Sequence, residues 1–277
     1  MKIGLVTDST SDIPADLLAR HRIGLVPAIL NIGPKSYIDG LEITRDEFYT
    51  RLPGLKKSPT TASPSVGNFQ DCYKGLFSSG FNHIISIHPP KDLSGMYNVA
   101  RLAAVEFGER VHVLDSGQLS LGLGFQVLAA AEAIELGSVL DEILLVIESI
   151  KKRVRVQALL DTLEYMRRSG RVSWARALVG GLLNLKPLIE VRHGIVNRIG
   201  LARTQSQGIQ RLIDNLKGFG QLERLAILHT NAESTARNFL DEIKPILPVP
   251  ALIVNVTTVI GTHVGPNGLG LAAIPVK

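Results

Sequence analysis

Small hydroxyl side chains crowd one short stretch of the chain, residues 58–65, which reads SPTTASPS and directly precedes an amphipathic helix pattern. The hydroxyl-bearing residues of this stretch are Ser58, Thr60, Thr61, Ser63 and Ser65. A helix N-cap needs one hydroxyl, so the others are available for other chemistry. Hydroxyl groups donate hydrogen bonds, and a cluster of them suits an anionic ligand group.

Three further hydroxyl-bearing loops follow predicted strands. TDSTSDIP comes after KIGLV, HPPKDLSG after HIISI and DSGQLSLG after RVHVL. In an open parallel sheet such loops lie together at the carboxyl ends of the strands, where these folds bind ligands. The loops carry one cation, Lys91, and the chain has no G-x-x-x-x-G-K-[ST] motif, which favours a single carboxylate over a polyphosphate. The alternative is that all four are ordinary capped loops.

The order of the predicted elements indicates an α/β fold in two domains. Up to residue 154, apolar strand patterns alternate with helical patterns, which is typical of a parallel sheet covered by helices on both faces. From residue 155 the pattern changes to strands, a hairpin and helices in mixed order, which predicts an α+β unit with a mixed sheet. We therefore predict domains at 1–154, with the hydroxyl-rich loops, and 155–277.

Composition narrows the function further. The chain has 277 residues, is 45% hydrophobic and carries a net charge of +5, with its cations dispersed among acids. Nucleic-acid binding therefore stays possible but is not favoured.

Cys72 is the single cysteine and the histidines lack metal-ligand spacing, so we predict neither a disulfide nor a metal site. Asp8 and Asp12 are interpreted as turn-capping residues rather than magnesium ligands. Neither a signal peptide nor a membrane-length apolar run is evident, so we predict a cytoplasmic protein.

His263 is the histidine most open to a functional role. It belongs to GTHVGPNGLG, which we interpret as a glycine-rich loop after an apolar strand. In such a loop, His263, Thr262 and free N–H groups would reach a ligand. The alternative is a turn histidine in solvent.

Taken together, these motifs resemble the DegV family of bacterial lipid-binding proteins, in the family's order and over nearly the whole chain. The segments are VTDSTSDIP at 6–14, PTTASPS at 59–65, DLSGMYNVA at 92–100, VLDSGQLSLGLG at 113–124, SGRVSWARALVGGLLNLKPLIEV at 169–191 and THVGPNGLG at 262–270. The chain departs from the family pattern at Ala62 and Ser63, where Ser-Gln is usual, at Met96, where Thr is common, and at Asn267, which enlarges a Gly-Pro-Gly turn.

The resemblance implies a protein that binds one long-chain fatty acid and has neither its own catalytic machinery nor a cofactor. It implies that Thr61 and Ser94 hold the carboxylate, with His263 and Thr262 nearby. The second domain would contribute the pocket for the acyl chain and a surface for docking a partner. The predicted pocket residues, Leu182, Leu183, Leu185 and Ile189, belong to the apolar run ALVGGLLNLKPLI, and the alternative is that this run is ordinary core.

The resemblance also implies a partner, the ATP-binding subunit of a fatty-acid kinase, which phosphorylates the presented carboxylate. The acyl phosphate would feed phospholipid synthesis, with a transient contact to a membrane or an acyltransferase. Arg171 in SGRV is a candidate for docking the kinase or handling the phosphate, and Arg203 in LARTQ is a weaker one. A rival function is an acyl or phosphoryl transferase that uses His263 or Ser94 covalently, although no complete catalytic triad supports it.

Overall fold

The computed structural model describes residues 2–176, 185–247 and 250–276. The strands are Ile3–Asp8 (β1), Gly24–Val26 (β2), Ile29–Ile32 (β3), Lys35–Ile38 (β4), Thr60–Ala62 (β5), His83–His88 (β6), Val111–Asp115 (β7), Arg155–Leu159 (β8), Lys186–Arg192 (β9), Ile195–Ala202 (β10), Leu222–His229 (β11), Ala251–Asn255 (β12) and Leu269–Pro275 (β13). The α-helices are Ala15–Arg20 (α1), Arg45–Arg51 (α2), Val66–Ser78 (α3), Met96–Ala104 (α4), Leu121–Glu135 (α5), Leu140–Arg153 (α6), Glu164–Ser169 (α7), Ser173–Arg176 (α8), Gln205–Gly218 (α9), Glu233–Ile243 (α10) and Thr258–Val264 (α11).

A four-stranded parallel sheet, in the order β2-β1-β6-β7, organises the first half of the chain. Its strands alternate between two cores, because successive side chains of a strand point to opposite faces. Leu5 and Ile85 pack with α5 on one face, whereas Val6 and Ile84 pack with α3 and α4 on the other. The predicted parallel sheet with helices on both faces is confirmed.

A six-stranded mixed sheet, in the order β10-β9-β8-β13-β11-β12, is built from the second half. Its pairs are antiparallel except β11 with β12, and β9 and β10 form the predicted hairpin. Helices α9 and α10 cover one face through Leu212 and Phe239. The other face, through Ala226 and Ile274, shares a core with α5. Helix α5 therefore lies between the two sheets, which explains why it is apolar on nearly every side.

A third, antiparallel sheet of β4-β3-β5 was not predicted from the sequence. It holds the hydroxyl-rich stretch against β3, because Leu30 pairs with Thr61. The strands of the parallel sheet precede residue 116 and those of the mixed sheet follow residue 154, while the domain boundary itself stays a prediction. Among the described helices, none has both the length and the apolar character needed to cross a membrane.

Candidate ligand-binding site

A cavity of about 210 Å³ opens where the hydroxyl-bearing segments meet. Thr10 reaches it from the turn after β1, Ser94 from the loop after β6 and Leu119 from the loop after β7, with Thr61 and Ser63 coming from the β5 region. The carboxyl ends of the parallel strands thus supply one wall, as expected for this sheet type. The remaining lining is mainly apolar and includes Met166, Val172, Ile189, Val191, Val196 and Val259.

The polar end of the cavity is centred on Thr61 and His263, whose Oγ1 and Nε2 atoms lie 3.2 Å apart. Burial lowers the pKa of His263 to about 4, and the charge of Arg171 contributes to the same shift. The imidazole is therefore neutral at pH 7 and can donate from Nε2 to the Thr61 oxygen. That arrangement leaves the Thr61 hydroxyl hydrogen free for a ligand oxygen.

Backbone geometry brings Ser63 and Ser94 to the same end. A Cβ built on Gly95 would lie 2.9 Å from the Ser63 Oγ, so a larger residue at position 95 would push the Ser63 side chain aside. The Ser94 Oγ accepts from the Met96 backbone N–H at 3.3 Å, which leaves its own hydrogen to donate. Ser63, one of the positions that departs from the family pattern, is therefore a cavity residue.

One hydroxyl of the 58–65 stretch, that of Ser65, has the ordinary role of a helix N-cap. Ser65 is the N-cap of α3: its Oγ accepts from the Asn68 backbone N–H at 3.2 Å, and the Asn68 side chain completes a capping box. Thr61 and Ser63, in contrast, line the cavity. The surplus hydroxyls are thus divided between a cap and the cavity wall.

His263 lies in the last turn of α11, and not in the loop that the glycine-rich sequence suggested. Helix α11 has seven residues and follows the apolar strand β12 by two residues. Thr262, also predicted as a site residue, donates its hydroxyl to the Thr258 carbonyl at 2.9 Å. Its hydrogen is therefore already committed within the helix.

A smaller polar recess of about 100 Å³ adjoins the cavity. Thr61, His263, Ser169 and Arg171 line both spaces. The recess adds polar side chains of its own: Ser58, Thr60, Tyr165, Arg168 and Thr262. The guanidinium of Arg171 donates to the Ser169 carbonyl at 3.0 Å and is otherwise exposed. Positive charge and hydroxyl donors are thus combined next to the polar end of the cavity.

Asp8, which the sequence suggested as a turn-capping residue, belongs to a buried hydrogen-bond chain behind the cavity wall. The Ser86 Oγ lies 2.7 Å from the His88 Nε2, and the His88 Nδ1 lies 2.7 Å from the Asp8 Oδ2. Asp8 caps the following turn by accepting from the Thr10 N–H and hydroxyl, and Tyr73 donates to Ser86 at 2.9 Å. Ser86, His88 and Asp8 are fully buried and do not line the cavity. This Ser-His-Asp arrangement therefore supports Thr10 and offers no accessible nucleophile.

Other predicted residues are placed apart from the polar end. Leu182 and Leu183 lie outside the described residues, and Leu185 is half-buried without lining the cavity. Arg203 is exposed in the turn between β10 and α9, where its backbone N–H donates to the Gln207 side chain. Among the described residues, no group of three or more His, Cys, Asp or Glu could hold a metal ion.

Sequence reasoning missed several cavity residues. Thr10 was present in the quoted TDSTSDIP loop, but the loop offers six polar residues and no local signal distinguishes the one that faces the cavity. Met166 and Ser169 lie in or next to the SGRV segment, for which only Arg171 was predicted to have a role. Ile189 of β9, predicted as a pocket residue, does line the cavity, whereas Val191 and Val196 were missed because a strand pattern does not distinguish a cavity wall from the core.

The fold and the site together define an α/β protein with a mainly apolar cavity that has one polar end. A family model described as "Uncharacterised protein, DegV family" matches residues 2–276, and the chain belongs to the DegV family. A DegV domain-containing protein of Caldanaerobacter subterraneus subsp. tengcongensis is 36% identical over 279 residues, covering 98% of each chain.

Solved structures agree with this assignment. A DegV family protein from Thermus thermophilus, whose structure is described as showing fatty acid binding, has a TM-score of 0.93 and 34% identity, with 100% of both chains covered. DegV from Bacillus subtilis, described as a fatty acid binding protein, has a TM-score of 0.89 and 30% identity, with 99% of both chains covered. The family resemblance and the fold class predicted from the sequence are confirmed.

Proposed function

We propose that this protein binds one long-chain fatty acid, with the acyl chain in the apolar cavity and the carboxylate at Thr61, Ser94 and His263. The observation that carries the proposal is the cavity itself, because one polar end with free donors adjoins a mainly apolar wall. Relatives of the same fold that are described as fatty acid binding proteins support it.

The energetics assign different tasks to the two ends of the ligand. Burial of about 14 methylenes contributes roughly 11 kcal/mol before the costs of binding, at about 0.8 kcal/mol each. A charge-assisted hydrogen bond adds about 1.5–3 kcal/mol. The tail therefore supplies most of the affinity, and the donors fix the orientation of the carboxylate.

We also propose that the bound carboxylate is presented to a separate ATP-dependent kinase subunit, which forms an acyl phosphate. The recess beside Thr61 and His263 supports this idea, because Arg171 supplies positive charge, together with Arg168 that is ion-paired with Glu164, where a phosphoryl group on the carboxylate would extend. In the same proposal, the exposed Arg171 guanidinium is the first contact for the partner or for the phosphate. Arg203, also exposed, would belong to the docking surface.

The transferase alternative has less support from the site. The described residues place no general base within hydrogen-bond distance of the Ser94 hydroxyl, whose one contact there is the Met96 N–H. His263 faces Thr61 through Nε2, and its Nδ1 is buried without a partner in the described part of the chain. This geometry suits a neutral hydrogen-bonding group better than an activated nucleophile.

Organic extraction of freshly purified protein, followed by mass spectrometry, tests the binding proposal. We expect a long-chain fatty acid in near-stoichiometric amount. A Thr61→Val/Ser94→Ala double variant, purified in parallel, controls for lipid that adheres elsewhere and is expected to retain less. An empty extract from folded protein that also fails to bind added palmitate would refute the proposal.

The kinase proposal has its own assay. Palmitate-loaded protein is incubated with ATP and hydroxylamine, which traps an acyl phosphate as a hydroxamate. We expect no hydroxamate with the protein alone and its formation when the kinase subunit from the same organism is added. Hydroxamate formation by the protein alone would instead favour an enzyme.

A further inference from the structure

Two buried carboxylates from the first forty residues of the chain hold the start of the helix that carries His263. We call Asp12 and Asp39 the carboxylate clamp; they are 1% and 3% exposed. Their partners are Thr257, which precedes α11, and Thr258, its first residue. The clamp therefore links the loop after β1 and the end of β4 with α11, more than 200 residues later in the chain.

The contacts of the clamp are specific. The Asp39 Oδ1 accepts from the Thr258 hydroxyl at 2.7 Å, and its other oxygen accepts from the Thr257 hydroxyl. The Asp12 Oδ1 accepts from the Thr257 backbone N–H at 2.8 Å, and its Oδ2 accepts from the Ser120 hydroxyl at 2.6 Å. All four carboxylate oxygens thus have a donor.

One cation and one phenol complete the surroundings of the clamp. Arg45 lies 3.2 Å from the Asp12 Oδ1 and also donates to the Asn255 carbonyl. Tyr49 donates to the Val256 carbonyl at 3.0 Å. Every residue from 255 to 258 is therefore held by a side chain from the first fifty residues, and the charge of the carboxylates is partly balanced.

Helix α11 depends on such contacts. A helix of seven residues is too short to be stable by itself, and α11 contains several β-branched residues and Gly261. A Cβ at position 261 would lie 2.3 Å from the Tyr49 hydroxyl, so the helix packs directly on α2. Val259 packs in the core of the parallel sheet. The position of His263 is thus determined by the first half of the chain.

We propose that Asp12 and Asp39 are positioning residues for the head-group site, which act by fixing α11 so that His263 faces Thr61. Neither carboxylate lines the cavity, so they would act through the helix and not by touching the ligand. The inference rests on the proposed role of His263 in fatty acid binding.

The clamp has a consequence that can be measured at His263 without any ligand. Burial lowers the pKa of His263 to about 4. A helix released at its first turn would expose the imidazole to water, and its pKa would rise toward the ordinary value. In a variant that stays folded, a structural defect far from α11 would leave the His263 pKa unchanged.

The test compares Asp39→Asn and Thr258→Val with the control Asp46→Asn. Asp46 also contacts the same segment, through Asn255 at 3.2 Å, but it is exposed and outside the clamp. The His263 ring signals, assigned with His263→Gln, are followed by NMR from pH 3.5 to 8. Palmitate affinity is measured by calorimetry on delipidated protein.

We expect the His263 pKa to rise by at least one unit in both clamp variants and palmitate Kd to increase about tenfold or more, with neither change in Asp46→Asn. Thr258→Val removes one hydroxyl only and keeps the test open if Asp39→Asn does not fold. An unchanged His263 titration in the folded clamp variants would overturn the clamp proposal, as would a shifted titration with unchanged palmitate affinity. If wild-type protein binds no palmitate, the proposed function fails, and the titration still decides whether the clamp positions His263.

Discussion

At the residue scale, the hydroxyls around the polar end differ in whether their hydrogen is free. Thr10 donates to the buried Asp8 carboxylate, and Thr262 donates to the Thr258 carbonyl. Ser94 only accepts, from Met96, and Thr61 faces His263, which is neutral at pH 7. Of these four hydroxyls, Ser94 and Thr61 are therefore the ones best able to donate to a carboxylate, whereas Thr10 and Thr262 shape the site.

This distinction predicts the effect of removing single hydroxyls. Thr61→Val and Ser94→Ala should each weaken palmitate binding by about tenfold or more, because a hydrogen bond to a charged group is worth about 1.5–3 kcal/mol. Calorimetry on delipidated protein measures the change. The control is Thr50→Val on the exposed side of α2, which also removes a hydroxyl group but lies away from the cavity, so it should leave the palmitate Kd unaltered. Unaltered affinity in both site variants would show that the head group lies elsewhere.

At the element scale, the helices and strands that the sequence revealed are those with their own periodic pattern. Helices α3 and α9 carry apolar stripes, from Val66 to Phe77 and from Ile209 to Phe219, and the spacing of those stripes predicts a helix in each place. Strand β5 was not, because its three hydroxyl-rich or small residues become a strand only by pairing with β3, about thirty residues earlier. Helix α11 was read as a loop, because its β-branched residues and Gly261 disfavour a helix that long-range contacts stabilise.

The same reasoning accounts for the site. The positions of the hydroxyl-rich loops before helices and the family resemblance together predicted that Thr61, Ser94 and His263 lie close to one another. In the structure all three line one cavity. The clamp could not be predicted, because Asp39 has no motif and reaches Thr257 and Thr258 only in the folded chain. Residues that act through tertiary contacts leave no local signal.

Two glycine-to-alanine substitutions should change the stability of the protein in opposite directions, because Gly261 of α11 packs against α2 and Gly75 of α3 faces open space. Gly261→Ala would place a Cβ 2.3 Å from the Tyr49 hydroxyl and should lower the free energy of unfolding by about 1–3 kcal/mol while weakening palmitate binding. Gly75→Ala, at an exposed position of α3, meets no atom within 4 Å and should raise the free energy of unfolding by about 0.5–1 kcal/mol, since alanine favours a helix interior. Urea unfolding measures both. Equal stability changes in the two variants would contradict the close packing of α11.

At the scale of the whole molecule, the site is shared between the two halves of the chain. Thr61 and Ser94 precede helix α5, whereas Ile189 and His263 follow it, and all four line one cavity. Helix α5 lies between both sheets and packs against each. The cavity therefore exists only when both halves are folded against each other. Two titratable groups, Asp12 and His263, are buried in this assembled structure.

These two groups predict opposite contributions to stability on acidification. Burial raises the pKa of Asp12 to about 6, so the folded state takes up a proton before the unfolded state, and stability from Asp12 increases as pH falls through 6 toward 4. Burial lowers the pKa of His263 to about 4, so the unfolded state takes up the proton first, and stability is lost as pH falls from 6.5 to 4. In the wild type the two effects oppose each other in one pH window.

One variant isolates the contribution of Asp12. In His263→Gln the loss from His263 is removed and the gain from Asp12 remains, so the free energy of unfolding should fall less steeply between pH 6.5 and 4 than in wild type. Asp12→Asn does not give the reciprocal measurement, because Asp12 belongs to the clamp and its loss is expected to raise the His263 pKa as well. Urea unfolding at half-unit pH steps gives the slopes, and all other titrating groups are common to the two proteins. Because slopes and not absolute stabilities are compared, the packing cost of the substitution cancels to first order. Parallel curves for wild type and His263→Gln would mean that His263 does not titrate differently in the folded and unfolded states.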